Sequence, residues 1–101
     1  MEKNEINMII KELEEGLEGK TVRYAFEDNL HQLIIEGGGL TFYIYLHRLF
    51  FEEEEPIEIL NEFYKYNIVD TLNQATEPVW LYLSITGLKQ VDGNFAKEGP
   101  S

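Results

Sequence analysis

The stretch Thr21–Ile35, TVRYAFEDNLHQLII, constrains the fold most. Val22, Tyr24 and Phe26 alternate with Thr21, Arg23, Ala25 and Glu27, a period of two that belongs to a strand with one buried face. Asp28-Asn29 follows, and both residue types tolerate the positive φ of a two-residue hairpin turn. Pairing outward from that turn sets Phe26 opposite His31, Tyr24 opposite Leu33 and Val22 opposite Ile35. All six then share one face, so turn and hydrophobic pattern agree on register.

The neighbouring segments extend this hairpin. Upstream, Ile6, Ile9, Ile10, Leu13 and Leu17 form one stripe of an amphipathic helix, with Asn4 as its expected cap and Gly16 or Gly19 at its end. Downstream, a reversal at Glu36–Gly39 leads into LTFYIYLHRLFF, which reads as one long strand. In the register that buries the purely apolar set, Leu40, Phe42, Ile44 and Leu46 lie beside Leu33 and Ile35. Thr41, Tyr43, Tyr45 and His47 then point the other way. Pro56 suits the first turn of a second helix, carried by Ile57, Leu60, Tyr64, Ile68, Leu72 and Ala75. That helix is either continuous from 56 to 75 or broken near Asn67. VWLYLSIT returns to period two, with Val79, Leu81, Leu83 and Ile85 on one face and Trp80, Tyr82, Ser84 and Thr86 on the other.

The order α-β-β-β-α-β predicts a two-layer α+β fold. An antiparallel three-stranded meander is joined by a fourth strand after a helical crossover, and the helices pack on one sheet face. A chain of 101 residues suits one domain, expected over 1–91 with a flexible tail over 92–101. The open sheet face would show Arg23, Gln32, Tyr43, Tyr45, His47, Trp80 and Tyr82. Tyrosine, tryptophan and arginine there are the types enriched at interface centres.

Glu52, Glu53, Glu54 and Glu55 run together before Pro56. The dipole at a helix entry favours negative charge, which makes a solvated helix start the simplest reading of the run. An acidic patch for a basic partner is the functional one. Adjacent glutamates point apart and no calcium-loop spacing is present, so no metal site is expected. Gly37-Gly38-Gly39 lacks a following helix and a phosphate-binding lysine, and it reads as a turn. No cofactor site and no catalytic residue are assigned: His31 and His47 have no nearby Ser or Cys nucleophile, and His31 reads as a structural histidine. With no cysteine in the chain, disulfides and thiolate zinc sites are excluded.

Charge narrows the partners. Nineteen acidic residues against eight Lys and Arg give a net charge of −11. Free nucleic acid and anionic membranes would repel such a surface, while a basic protein would be steered toward it. No apolar run approaches membrane-spanning length, and a cytoplasmic protein of a bacterium, a virus or another host is expected. In size, acidity and a helix–three-strand–helix layout over roughly residues 5–75, the chain is similar to some phage-encoded inhibitors of CRISPR nucleases. It also resembles acidic immunity proteins that neutralise nuclease toxins. The likeness is one of composition and layout. It implies a small non-enzymatic inhibitor that binds a basic, nucleic-acid-handling protein through Tyr43, Tyr45, His47, Trp80, Tyr82, Arg23 and Glu52–Glu55. The alternatives are a homo-oligomer, such as a homodimer, joined through its Tyr/Trp sheet face, and a small enzyme or ligand binder using other acidic residues.

Overall fold

Asp28 and Asn29 hold positive φ values of 54° and 61°, and the hairpin they close has the register that the alternation predicts. A computed structural model describes residues 1–98. In it, β1 (Thr21–Glu27) pairs antiparallel with β2 (Leu30–Gly37), matching Phe26 to His31, Tyr24 to Leu33 and Val22 to Ile35. The next reversal is tighter than a four-residue loop. Gly37 pairs with Leu40, so Gly38 and Gly39 alone make the turn, both with positive φ. Removing two loop residues preserves parity, and β3 (Leu40–Leu46) sets Phe42 and Ile44 beside Ile35 and Leu33 as expected.

The strand expected to continue to Phe51 stops at Leu46. His47 caps a short helix instead, α2 (Arg48–Glu53), with the Leu49 N–H donating to His47 Nδ1 at 3.2 Å. The physical reason is packing. Leu49, Phe50 and Phe51 are adjacent apolar residues with no period of two. A helical turn buries Phe51 fully and leaves Phe50 half-buried at the surface. The second long helix is broken. α3 (Pro56–Lys65) ends before Asn67, whose left-handed φ of 54° redirects the chain into α4 (Ile68–Gln74).

β4 (Trp80–Ser84) then pairs parallel with β3, matching Tyr43 to Trp80 and Leu46 to Leu83. Parallel neighbours need a crossover, which α2, α3 and α4 supply. The sheet does not end there. Ile85 and Thr86 form a two-residue turn into a fifth strand, β5 (Gly87–Val91), giving a mixed sheet of order β1-β2-β3-β4-β5. The alternation predicts Ile85 on the inner face; as a turn residue it is 86% exposed.

The helix α1 (Lys3–Gly16) starts two residues earlier than an Asn4 cap allows, with the Glu2 N–H donating to the Glu5 carboxylate at 3.0 Å. It lays Ile9 and Leu13 on the same sheet face as α2, α3 and α4, around Leu33, Ile35, Phe42, Ile44, Leu81 and Leu83. This is the two-layer α+β arrangement that the patterns imply. Within the segment expected as a tail, Phe95–Glu98 form a four-residue helix, α5, against the second sheet face. Residues 99–101 of that expected tail lie outside the described residues. No helix among the described residues is long and apolar enough to cross a membrane.

Leu33 of β2 is fully buried in the main core, whereas Ile85 stands in solvent. Leu33→Ala should lower unfolding free energy by about 2–5 kcal/mol through the cavity it leaves. Ile85→Thr should change it by less than about 0.5 kcal/mol. Equilibrium denaturation measures both.

Candidate functional site: an acidic slot on the helical layer

The four glutamates have four different environments. Glu52, on the inner side of α2, accepts from His31 Nε2 at 2.8 Å and from Arg48 Nε at 3.3 Å. A carboxylate only accepts, so Nε2 carries the proton, and the Tyr24 hydroxyl donates to His31 Nδ1 at 2.6 Å. Arg48 also reaches Asn29 Oδ1 at 3.3 Å. The resulting chain of polar groups ties α2 to the β1–β2 hairpin beside Phe51, whose ring centroid lies 4.6 Å from that of His31. Burial pushes the His31 pKa below its ordinary value, against the opposing pull of Glu52. Glu52 is held below the usual carboxylate range, chiefly by the His31 hydrogen bond. Burial, helped by repulsion from Glu52, raises Tyr24. His31 is thus the structural histidine that its apolar position suggests.

Glu55 is the exposed N-cap of α3 and uses no side-chain bond there. Glu53 is exposed at the end of α2, and Glu54 follows it as the cap. The run therefore closes one helix and enters another, which corrects its reading as a helix start alone. Glu54 turns toward the outer side of α3, where Glu58 and Glu62 stand four and eight residues further on, one above the other. With Phe50 and Asn61 these three carboxylates line a hollow of about 290 Å³. A hydrogen bond with Glu58, partial burial and repulsion from Glu58, Glu53 and Glu62 push the Glu54 pKa above its ordinary value. Lys65 Nζ lies 4.0 Å from the Glu62 carboxylate. The slot thus joins one aromatic wall, Phe50, to three carboxylates. A second hollow, about 490 Å³ between α1 and the α3–α4 bend, repeats the combination with Glu12, Glu15 and Asp70 beside Phe63 and Tyr64. Among the described residues, no group of three or more His, Cys, Asp or Glu side chains is arranged to hold a metal ion.

The aromatic sheet face lies on the opposite side of the sheet from the glutamates, so the two features do not form one surface. It is also less open than expected. Phe95 packs on Tyr45 and Tyr82 at centroid distances of 5.7 and 4.7 Å. With Ala96 it leaves Tyr45 and Tyr82 only 4% and 8% exposed. Gln32 is buried too, and its amide donates to the Glu27 carbonyl. Tyr43 and Trp80 remain half-buried, stacked with an interplanar angle of 2°. Arg23 is exposed and pairs with Glu36 at 3.3 Å. His47, assigned to this face, instead caps α2. Glu58, Glu62 and Phe50 join the slot without having been singled out in the sequence. The signal was the four-residue spacing from Glu54, visible once Pro56 is taken as the first residue of its helix.

His31 makes stability depend on pH with a defined sign. Its folded pKa lies below its unfolded one, so the unfolded chain binds the extra proton, and stability falls as pH drops below about 6.5 toward the folded value. Glu52, also depressed, adds a further loss in the same direction at lower pH, as the medium falls through its folded pKa. His31→Gln should flatten the first of these slopes while lowering stability at neutral pH, as read by denaturant midpoints across a pH series. No family model, no curated protein and no solved structure matches this chain.

Proposed function

We propose that the chain is a non-enzymatic binding protein whose helical layer engages a basic protein, most simply one that handles nucleic acid, and inhibits it by occupying its cationic groove. The observation that carries this reading is the hollow that Phe50, Glu58 and Glu62 form with Glu54. Neighbouring carboxylates raise the Glu54 pKa, so the ridge works against the stability of the free fold. A cationic side chain entering the slot would relieve the repulsion, and rows of carboxylates can stand in for phosphates.

Two further features fit. The net charge of −11 disfavours free nucleic acid and favours steering of a cationic protein. His31 offers no free base, because both ring nitrogens are engaged. A subunit interface on the Tyr/Trp face has less area to use, since Phe95 and Ala96 already cover Tyr45 and Tyr82.

Glu54→Gln should raise stability near neutral pH. A carboxyl whose folded pKa is raised stabilises below its unfolded pKa and loses that contribution as pH rises, so the advantage of glutamine should vanish in acid. The pair Glu54→Gln with Glu58→Gln should lower the association rate with the captured, purified partner by roughly tenfold at low salt and much less at high salt. Tight binding to free DNA or RNA, or a partner complex indifferent to salt and to both substitutions, would overturn the proposal.

A further inference from the structure

The β1 edge of the sheet carries unused backbone groups beside an apolar groove. Glu27 and Leu30 flank the two-residue turn and form its hydrogen-bonded pair. Alternation then directs Thr21, Arg23 and Ala25 toward β2, and turns the N–H and C=O groups of Val22, Tyr24 and Phe26 away from it. The Val22 N–H confirms the parity, because it donates outward to Glu14 Oε2 at 2.8 Å. Those of Tyr24 and Phe26 face outward from the sheet. Next to them, Ile6, Ile10, Val22 and Tyr24 line a groove of about 670 Å³. Phe26, at the end of the same edge, is 47% exposed.

We propose that β1 is a self-pairing edge: two copies of the chain join β1 to β1 antiparallel about Tyr24, forming one continuous ten-stranded sheet. Four features of the strand favour a second copy over an unrelated peptide. Centring on Tyr24 matches the outward residues in hydrogen-bonded pairs, Tyr24 with the partner's Tyr24 and Val22 with the partner's Phe26. On the helical side this gives an aromatic–aromatic pair and two β-branched–aromatic pairs, the combinations that stabilise neighbouring strands. It also carries each exposed Phe26 to the groove beside the other copy's Val22. The charges complement themselves, because the strand is basic at its start, with Lys20 and Arg23, and acidic at its end, with Glu27 and Asp28. Antiparallel pairing brings each basic end to the partner's acidic one, as a two-fold interface requires. The opposite edge offers less, since β5 has only Leu88 and Gln90 facing outward by the same alternation.

Glu14 is the guard of this edge. Its carboxylate occupies the Val22 N–H that the dimer needs, and removing a competitor for an edge donor makes strand addition easier. Sedimentation equilibrium across a concentration series into the millimolar range, combined with amide exchange, tests the proposal. The expected result is a concentration-dependent dimer in which the Tyr24 and Phe26 amides gain protection and those of Leu88 and Gln90 do not. Glu14→Ala should tighten the dimer roughly threefold to tenfold, the worth of one net hydrogen bond. Phe26→Lys, at a half-exposed position, should abolish dimerisation while leaving the denaturation midpoint of the monomer nearly unchanged. A monomer at every concentration for both the wild type and Glu14→Ala would overturn the inference. So would a dimer that leaves Tyr24 and Phe26 unprotected, or one that survives Phe26→Lys.

Discussion

Parity holds this structure together. Side chains in a strand alternate between faces, so the two-residue turns at Asp28-Asn29 and Gly38-Gly39 decide which residues of three strands meet the helices. A slip of one residue at either turn would exchange Leu33 and Ile35 for Gln32 and Ile34, and the helical stripes would face a mixed surface. The buried positions of α1, α3 and α4, among them Ile9, Leu13, Leu60, Phe63 and Leu72, then have one apolar face to cover. The polar chain Tyr24–His31–Glu52–Arg48 reinforces this arrangement, because it forms only when β1, β2 and α2 are all in register.

What was legible in the sequence was whatever repeats with a period. The hairpin register follows from Val22, Tyr24 and Phe26, and the amphipathic helices from spacings of three and four. The missed elements are short and lack such a signal. Arg48–Phe51 reads as strand because Leu49, Phe50 and Phe51 are apolar and adjacent, and only the tertiary demand to bury Phe51 selects a helix. The β4–β5 turn uses Ile85 and Thr86, which carry none of the usual turn chemistry, although Gly87 accepts a φ of 116° just after it. α5 owes its place to Phe95, one aromatic in a polar segment, held against Tyr45 and Tyr82. The site was partly legible: the acidic run was visible, but its division among a hydrogen-bonded anchor at Glu52, a crowded slot at Glu54 and two exposed residues, Glu53 and Glu55, depends on where two helices meet.

Charge is unevenly spread as a result. The helical layer holds Glu12, Glu15, Glu54, Glu58 and Glu62 around two hollows with aromatic walls. Lys89 lies above the rings of Tyr82 and Phe95 on the far side of the sheet, at 5.5 and 5.7 Å from their centroids. Two faces of one small domain thus differ in chemistry, one rich in carboxylates and one closed by aromatic packing.

The sheet order also bears on how the chain reaches its native state. Every strand lies beside its neighbour in sequence, and three of the four junctions are tight hairpins. The fourth, where Tyr43 meets Trp80, spans the whole helical crossover. Closing that long loop costs chain entropy before the contacts that reward it exist. The three-stranded meander and the β4–β5 hairpin are therefore local units able to form early, and their docking through the β3–β4 seam is the natural barrier to folding. Substitutions at the hairpin turns, formed before that barrier, and at Ile44 or Leu81, which meet across the seam, would then act mainly on the folding rate, while contacts completed after docking would set how fast the folded chain comes apart.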